Sequence, residues 1–425
     1  MNNITFCINT SRNEFNHIKL LFKSLEQNLS NLEYEIIVFV DSDNQGTTEW
    51  LLEQKQIFLN LKILKNKLPI PYGYQRNINE MFKSASNEIV SYLQSDMVIC
   101  KNYDLEIIKH LEPNMILCST RVEPPLHGNS GEKITYDFGL DPKEFNLVAF
   151  TEYAEKQKQK KITEYFFAPF TLYKDTWNSI GGHDTLFRRS REDSDILTRL
   201  VLNNTKIIQV WNAIVYHFTC TSSRGKEWFN PNNQEAQNKV KLQQLADQIE
   251  MGKFFRKWGK FNHSTNKINY YKISANILGD ISDLNYFMAL ESFFDSVYIE
   301  DETIINSIQE KYDQYHDIAN NLFNISSKDW GEYSYMFNQL NINNRIYSLD
   351  KNKEDIIIEF NINSVSSDYI NNFLIYLQDI IDQNEVGVFE YGPFKIIINK
   401  KENKAKDKIF ISNPLVKEEH LYKIL

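Results

Sequence analysis

Apolar runs alternate with amphipathic segments along the first part of the chain. Short apolar runs at 4–9, 35–40, 61–65, 88–93 and 115–120 predict buried strands. Apolar residues at helical spacing between these runs predict helices at 16–28, 48–56, 73–86 and 105–111. Strands that alternate with helices in this way are typical of a mostly parallel, Rossmann-like sheet flanked by helices.

The pattern changes after residue 120. Residues 121–161 predict irregular structure, and the alternation resumes with an apolar run at 165–173, a helix at 192–202 and strands at 207–210 and 213–217. Residues 224–261 predict a helix and a linker. Further strands at 270–278, 355–360 and 387–399, with helices at 284–294 and 367–381, predict a second region of mixed α+β structure. We therefore expect domains at 1–225 and 265–425, joined by a helical linker at 226–264.

Composition excludes several classes of protein. The chain has 425 residues, of which 42% are hydrophobic, so it contains enough apolar residues for two cores. A formal net charge of -9 disfavours nucleic acid as a partner. No apolar run approaches the roughly 18 residues of a transmembrane helix, and the N-terminus lacks a signal-peptide pattern. The four cysteines are scattered without a CxxC pair, which favours free thiols and a cytoplasmic protein.

Three predicted strands end in polar residues. The first leads into Thr10 to Glu14, the second into Asp41 to Asp43, and the fourth into Gln94, Ser95 and Asp96. Ligands of open parallel sheets bind beyond the carboxyl ends of the strands. A single acidic residue after a strand is common in turns, but three such ends on one edge indicate a binding site.

Four stretches in order resemble the motifs of family 2 glycosyltransferases. They are "EIIVFVDSDNQGTTEWL", "GYQRNINEMFKSASNEIVSYLQSDMVI", "SIGGHDTLFRRSREDSDILTRLVLNNTKI" and "NAIVYHF". The resemblance covers about residues 1–220 and implies a GT-A fold there. It leaves the role of 265–425 open.

The resemblance implies roles on the donor side. Asp41 corresponds to the carboxylate that accepts a hydrogen bond from a uracil-type base, and Arg76 would lie near the nucleotide. Asp96 falls on the last position of the family's DxD motif, so it would bind the Mn²⁺ or Mg²⁺ that bridges the donor diphosphate, with His217 as a second ligand. Gln94 stands where the family usually has Asp. The full set expected to contact the nucleotide-sugar is Thr10, Glu14, Asp41, Asp43, Arg76, Gln94, Ser95, Gly182 and Asp184.

The resemblance also implies a catalytic base. Glu192 and Asp193 match the family's Glu-Asp pair at the start of the acceptor-side helix. A base at the acceptor hydroxyl, opposite the leaving diphosphate, would give inversion at the anomeric carbon. We assign Asp193 as this base and Glu192 as the alternate.

These expectations describe an inverting, metal-assisted glycosyltransferase. It would move a sugar from a nucleotide-sugar, expected to be a UDP-sugar, to a hydroxyl of a glycan-type acceptor. Two alternatives stay open at this point: a non-catalytic module that binds sugar nucleotides or glycans, and a nucleotidyltransferase. The first is kept open by Gln94. The second would need a Gly-rich, basic loop after the first strand, where this chain has "TSRNEFN".

Overall fold

The computed structural model describes most of the chain. The described residues are 3–67, 73–128, 130–185, 187, 190–219, 234–259, 261, 271–301, 303–305, 307–308, 345–349, 354–402 and 422–424.

The first half of the chain forms the predicted strands and helices with small shifts at their ends. The strands are β1 (Ile4–Thr10), β2 (Glu35–Val40), β3 (Leu61–Asn66), β4 (Ile89–Gln94), β5 (Met97–Ile99), β6 (Met115–Glu123), β7 (Lys133–Thr135), β8 (Ile162–Thr163), β9 (Phe170–Tyr173) and β10 (Lys206–His217). The helices are α1 (Phe15–Asn28), α2 (Thr47–Gln54), α3 (Tyr74–Ser84), α4 (Tyr103–His110), α5 (Leu147–Gln157), α6 (Lys174–Ser179) and α7 (Glu192–Leu202).

These strands build one large sheet. Within the described residues its order is β3-β2-β1-β4-β9-β6-β10-β5, with β7 beside β6 and β8 beside β10. The pairs β1–β2, β1–β4, β2–β3 and β6–β10 are parallel, and β9 runs antiparallel between β4 and β6. All six residues of β2 are buried, as expected for a strand covered on both faces.

The stretch 121–161, predicted to be irregular, contains β7 and helix α5, so that prediction is wrong there. Asn146 caps α5 by accepting a hydrogen bond from the Ala149 N–H at 3.0 Å, and Leu147, Phe150 and Ala154 form its buried face. The capping asparagine and the helical spacing of the apolar residues are both present in the sequence. The two strands predicted at 207–217 are one strand, β10, with a register shift between Val210 and Ile214.

The second half of the chain contains a long helix followed by a second α/β region. The helices are α8 (Gln234–Trp258), α9 (Leu284–Glu291) and α10 (Ser367–Gln383). The strands are β11 (Ser274–Leu278), β12 (Ser296–Ile299), β13 (Ile346–Ser348), β14 (Ile356–Asn361), β15 (Gly387–Tyr391), β16 (Phe394–Ile398) and β17 (Tyr422–Ile424). The single strand predicted at 387–399 is a hairpin, because the chain turns at Gly392, whose φ is +58°.

The second sheet has the order β13-β12-β11-β14-β16-β15 in the described part of the chain. Its first four strands are parallel, and β16 and β15 add an antiparallel edge. A mostly parallel sheet flanked by helices, followed by a second sheet in the C-terminal region, confirms the fold class expected from the sequence.

The described residues fall into two compact units. The first takes those up to His183, 199–219 and 422–424, and the second takes Asp184–Thr198 and those from Gln237 to 402. The last strand, β17, therefore belongs to the first sheet, where it pairs with β3. The segment with Glu192 and Asp193 belongs to the second unit, although its sequence is part of the transferase motifs. The two units therefore do not follow the boundaries expected at 225 and 265. Residues 184–198 belong to the second unit, and residues 422–424 belong to the first.

Two further expectations can be compared with the structure. Among the described residues, no helix is both long enough and apolar enough to span a bilayer. Cys7, Cys100 and Cys118 are buried free thiols, and Cys220 lies outside the described residues.

Candidate active site

The carboxyl ends of β1, β2 and β4 lie side by side, as the sequence predicted. Thr10 is in register with Val40, Asn9 is in register with Gln94, and the Asp41 N–H donates to the Thr10 carbonyl at 2.9 Å. Thr10, Asp41 and Gln94 are therefore adjacent on one edge of the first sheet. The Thr10 hydroxyl is buried without a hydrogen-bond partner in the described part of the chain, which makes it available to a ligand.

The Asp41 carboxylate is held by residues that flank the loop before α3. The Gly73 N–H donates to Oδ2 at 3.0 Å, and the Asn66 side-chain amide donates to Oδ1 at 3.1 Å. Gly73 adopts a φ of +100°, which side chains other than glycine rarely tolerate. The orientation of the Asp41 carboxylate is fixed before a ligand binds.

Asp43 has a different environment, although it lies only two residues further on. Its carboxylate accepts hydrogen bonds from the N–H groups of Gln45, Thr47 and Thr48 and from the Thr48 hydroxyl, at 2.7 to 3.1 Å. Burial alone would raise the pKa of Asp43, but these hydrogen bonds lower it to about 2. Asp43 therefore stabilises the start of α2 in its ionised form, and a contact with the nucleotide stays a prediction.

Glu14 links the carboxyl ends of β1 and β4 through hydrogen bonds. Its Oε2 accepts hydrogen bonds from the Ser11 N–H and from the Ser95 hydroxyl, both at 2.7 Å. The side chain is buried at the start of α1. Glu14 and Ser95 thus fix the loop after β1 to the turn after β4, and this turn contains Asp96. Arg76 lies half-buried on the first turn of α3.

Asp96 and His217 lie together, and Glu123 joins them. The register of β5 on β10 places His217 opposite Met97, so the His217 Nε2 is 3.6 Å from the Asp96 Oδ2. The other ring nitrogen, Nδ1, is 2.8 Å from the Glu123 Oε1. Glu123 also pairs with Lys133 at 2.9 Å. Burial opposes ionisation of Glu123, but the contact with His217 and the nearby cations lower its pKa to about 2.

Glu123 was not predicted from the sequence as a site residue. It ends β6 and so occupies the same kind of position as Asp41 and Asp96, but it fell at the border of the stretch predicted to be irregular. A carboxylate on the far nitrogen of an imidazole is the usual arrangement behind a metal-binding histidine, because it fixes the tautomer and the ring orientation. Glu123 gives His217 this arrangement.

This donor set fits a divalent cation that takes its other ligands from a diphosphate. Asp96 and His217 supply one oxygen and one nitrogen, and Mn²⁺ and Mg²⁺ accept few protein ligands when phosphates complete the shell. No group of three or more His, Cys, Asp or Glu side chains among the described residues could hold a metal ion without such help. The protein alone thus provides a partial site.

His17 is a second residue that the sequence analysis missed. It lies one turn after Glu14 on α1, and its ring packs edge-on against Phe218 with the centroids 5.1 Å apart. The Phe218 N–H donates to the Asp96 carbonyl at 3.1 Å. Both ring nitrogens of His17 are buried without hydrogen-bond partners in the described residues. Burial lowers the pKa of His17, and the negative charges of Asp96 and Asp141 partly oppose this shift.

Packing within the protein requires glycine at position 182. Gly182 has a φ of +73°, and a Cβ there would lie 2.6 Å from the Asn79 Oδ1 and 2.9 Å from the Trp177 Nε1. Asn79 also exchanges two hydrogen bonds with the His183 backbone, at 2.8 and 2.9 Å. The buried Arg199 donates to the Gly182 carbonyl. The predicted approach of this backbone to a sugar stays a prediction. Trp177 and Trp211 are buried, as expected for core residues.

The three acidic residues at the start of α7 differ in exposure. Glu192 is 9% exposed, Asp195 is 0% exposed, and Asp193 between them is exposed. Asp195 and Asp184, both buried, pair with Lys257 on α8. Phe254, Phe255, Lys257 and Trp258 are buried, so the end of α8, within the segment expected to be a helical linker, is not a solvated face.

With this geometry established, comparison with known families identifies the region. Residues 7–191 match the family described as Glycosyl transferase family 2. This segment is therefore similar to the domains of family 2 glycosyltransferases. The match confirms the resemblance seen in the four motifs.

Solved structures similar to this chain are distant from it in sequence. Staphylococcus aureus TarS is 17% identical, with a TM-score of 0.38, over 51% of this chain and 36% of the TarS chain. GalNAc-T7, crystallised with UDP, GalNAc and Mn²⁺, is 13% identical, with a TM-score of 0.42, over 79% of this chain and 57% of its own. The mannosyltransferase PcManGT from Pyrobaculum calidifontis, crystallised with GDP-Man and Mn²⁺, is 13% identical, with a TM-score of 0.39, over 60% of this chain and 63% of its own. The chain thus spans about a third of TarS. No curated protein sequence matched the chain.

Proposed function

We propose that this glycosyltransferase moves a sugar from a UDP-sugar to a hydroxyl of a glycan-type acceptor, with inversion at the anomeric carbon and with the help of Mn²⁺ or Mg²⁺. The observation that carries the proposal is the Asp96–His217–Glu123 arrangement at the edge of a family 2 domain. A diphosphate leaving group carries negative charge, and the protein as a whole has a net charge of -9. A cation at this edge supplies the positive charge that stabilises the diphosphate.

The nucleotide is recognised beside Asp41. The imide N–H of uracil donates to the carboxylate, and such charge-assisted hydrogen bonds are the stronger ones. The contacts from Gly73 and Asn66 hold the carboxylate in place, so little ordering is needed when the base binds. Thr10, Gln94 and Arg76 contact the rest of the nucleotide, while Glu14, Asp43 and Ser95 shape the loops around it.

Asp96 and His217 would hold the cation, and the cation would supply positive charge to the leaving diphosphate. The Glu123 carboxylate accepts the Nδ1–H of His217, so the Nε2 of His217 carries the lone pair that a cation would need. Lys133 and Arg121 neutralise Glu123, so its charge is balanced within the protein. The sequence assignment of Asp96 and His217 to the metal is thus supported by a residue that the motifs did not include.

Asp193 takes the proton from the acceptor hydroxyl. Its exposure favours this role, because a base has to reach an incoming substrate, whereas the Asp195 carboxylate is engaged with Lys257 and Trp258. Glu192 is buried at the same helix start and remains the alternate. The first turn of α7 favours carboxylates in their ionised form, as a base requires.

The test is a screen of nucleotide-sugar donors in the presence and absence of a divalent metal. UDP-, dTDP-, CDP- and GDP-sugars are incubated with the protein, and nucleotide release is followed with Mn²⁺ and with a chelator. We expect release from a UDP-sugar that the chelator abolishes. UDP binding to wild type and to Asp96→Ala is then compared with and without Mn²⁺, and only wild type should gain affinity from the metal. An equal gain in both proteins would remove Asp96 from the metal site.

A further inference from the structure

Lys257 forms a buried ionic cluster with two aspartates. Its Nζ lies 2.5 Å from the Asp184 Oδ2 and 2.7 Å from the Asp195 Oδ1, and the three side chains are 6%, 1% and 0% exposed. The Trp258 Nε1–H donates to the same Asp195 oxygen at 2.9 Å. Buried carboxylates are strongly destabilising unless a cation and hydrogen bonds compensate them. Lys257 therefore stabilises both buried aspartates in this unit.

The partners come from different parts of the sequence. Lys257 and Trp258 end helix α8, beyond the segment 7–191 that matches the transferase family. Asp184 and Asp195 stand on either side of Glu192 and Asp193. Between them, Phe187 packs against Phe254 of α8 at 6.2 Å, and Lys257 lies 5.6 Å from the Phe187 ring centroid. Helix α8 thus contacts the segment before, within and after the stretch that leads to Asp193.

We propose that Lys257 is a positioning residue for the transfer reaction: by holding Asp184 and Asp195, it fixes the segment from which Asp193 presents its carboxylate. This inference rests on the proposed role of Asp193 as the base. It gives α8, which the sequence suggested was a linker, a part in the acceptor side of the enzyme. It also explains why Asp184 and Asp195 are buried while Asp193 is exposed.

The functional effect follows from the demands of proton transfer. A base has to lie within hydrogen-bond reach of the proton it takes, and a displacement of about 1 Å can cost about a hundredfold in rate. Asp193 is two residues from Asp195, so a change in how Asp195 is held moves the base directly. Loss of Lys257 removes a cation that contacts both buried carboxylates, and the segment then rearranges in response.

The experiment compares two lysines of the same helix. Lys257→Met breaks the cluster, whereas Lys253→Met breaks the buried pair between Lys253 and Glu250, at 2.6 Å, one turn earlier. Lys253→Met therefore reports the general effect of losing a buried ion pair in α8. Lys257→Arg retains the charge. Trp258→Phe removes only the hydrogen-bond donor to Asp195, so this variant replaces Lys257→Met in the comparison if Lys257→Met fails to fold. Turnover, KM for the acceptor and UDP affinity are measured for each variant.

We expect Lys257→Met to lose about 10- to 100-fold in turnover with UDP affinity unchanged, Lys257→Arg to recover part of the loss, and Lys253→Met to keep wild-type turnover. Trp258→Phe should show a smaller loss of the same kind. The proposal would be overturned if Lys257→Met and Lys253→Met had equal turnover, whether both were reduced or both were unchanged. A loss of UDP affinity in Lys257→Met that matched its loss of turnover would also overturn it.

A second readout does not depend on activity. Amide hydrogen exchange at 190–198 should accelerate in Lys257→Met and not in Lys253→Met, because only the first variant releases Asp195. If wild type transfers no sugar from any donor, the proposed function fails, whereas unchanged exchange in Lys257→Met shows that Lys257 does not hold this segment.

Discussion

The two sheets of the protein place their strands in the same order but end them in different residues. In the first, β3, β2, β1 and β4 run parallel and β4 continues into the antiparallel β9; in the second, β13, β12, β11 and β14 run parallel and β14 continues into the antiparallel β16. The direction of strand addition thus reverses between β1 and β4 in the first sheet and between β11 and β14 in the second. Ligands of open α/β sheets bind at such a point.

The residues at the two points differ. At the ends of β1, β2 and β4 lie Thr10, Asp41 and Asp96, and the Asp41 carboxylate is held by Gly73 and Asn66. Beyond β11, Gly279 has a φ of +87°, and a Cβ there would lie 2.7 Å from the Asn361 Oδ1 at the end of β14. The two strand exits of the second sheet are therefore packed against each other.

The comparison shows that strand order alone does not make a binding site. The order provides an edge where strands separate, and the residues at that edge decide what it binds. Among the described residues, the first sheet combines this edge with an imidazole–carboxylate pair and a fixed Asp41. Four predictions test this difference between the sheets. They ask whether sugar transfer depends on the first sheet and on the segment with Glu192 and Asp193, and whether the second sheet takes no part in it.

The largest expected effect comes from Asp193. Asp193→Asn preserves the shape of the side chain but removes the base, so turnover should fall roughly 10²- to 10⁴-fold, the usual size of general-base catalysis, while UDP affinity stays near that of wild type. Asp175→Asn is the matched control, because Asp175 is also an exposed aspartate in the first turn of a helix. A collapse of donor binding in Asp193→Asn would place this residue on the donor side.

Asp41 and Glu300 give the most direct comparison, because each follows the second strand of its sheet. Cytosine lacks the imide N–H, so an Asp41 carboxylate facing it would lose a partner, at a cost of about 1–3 kcal/mol. UDP should therefore bind roughly 5- to 150-fold more tightly than CDP, and Asp41→Ala should remove most of this ratio. Glu300, which accepts the Gly279 N–H at 3.1 Å, should leave the ratio unchanged when replaced by alanine.

Calorimetry with UDP, dTDP, CDP and GDP measures these ratios. The ratio is the informative quantity, because Asp41→Ala also releases Gly73 and Asn66 and so weakens all nucleotides together. Tighter binding of CDP or GDP than of UDP to wild type would contradict the assignment of Asp41. A drop in the UDP to CDP ratio in Glu300→Ala would mean that the second sheet binds the nucleotide.

Much of the first sheet could be predicted from the sequence, because its strands are short apolar runs separated by amphipathic helices. The ends of β1, β2 and β4 could be predicted as well, since polar residues follow apolar runs there. Asp96 and His217 were found through family motifs. Glu123 was missed because its partner His217 lies 94 residues away and only the pairing of β6 with β10 brings the two together.

The ionic cluster of α8 could not be predicted for a related reason. Lys253, Arg256 and Lys257 look like a solvated face when the sequence is read locally, since lysine and arginine are rarely buried. Lys257 is buried because two aspartates from another segment require a cation, and such pairing over 62 or 73 residues leaves no periodic signal. Strand β17 was missed similarly, because its partner β3 lies at the other end of the chain.

The third prediction concerns Glu123. Glu123→Gln keeps an oxygen for the His217 Nδ1–H but removes the charge, so Mn²⁺ affinity in the presence of UDP should fall about 10- to 100-fold, as is usual for such outer partners of a metal ligand. Glu359→Gln is the control, because Glu359 is a carboxylate of the second sheet that pairs with Lys395 at 2.9 Å. Titration of Mn²⁺ followed by electron paramagnetic resonance measures both. Equal affinity in Glu123→Gln and wild type would show that His217 does not bind the metal.

The smallest effects are expected from two aspartates whose pKa values shift in opposite directions. Hydrogen bonds lower the pKa of Asp43 in the first unit to about 2 despite its burial, whereas burial raises the pKa of Asp295 in the second unit to about 6. Between pH 2 and the ordinary value of 3.8, unfolded Asp43 binds more protons than folded Asp43, so its contribution to stability grows as pH rises. For Asp295 the folded state binds more protons between pH 3.8 and about 6, so stability falls as pH rises through that window.

The two aspartates should therefore respond differently to the same substitution. Asp43→Asn should lower the thermal unfolding midpoint relative to wild type at pH 7 more than at pH 3, because only the ionised carboxylate accepts all of its hydrogen bonds. Asp295→Asn keeps an oxygen for the Ile273 N–H, which donates to Asp295 at 2.9 Å, so its midpoint relative to wild type should be higher at pH 7 than at pH 4. Thermal unfolding followed by circular dichroism at these pH values measures both differences. A midpoint difference for Asp295→Asn that does not change between pH 4 and pH 7 would show that this carboxylate ionises normally in the folded protein.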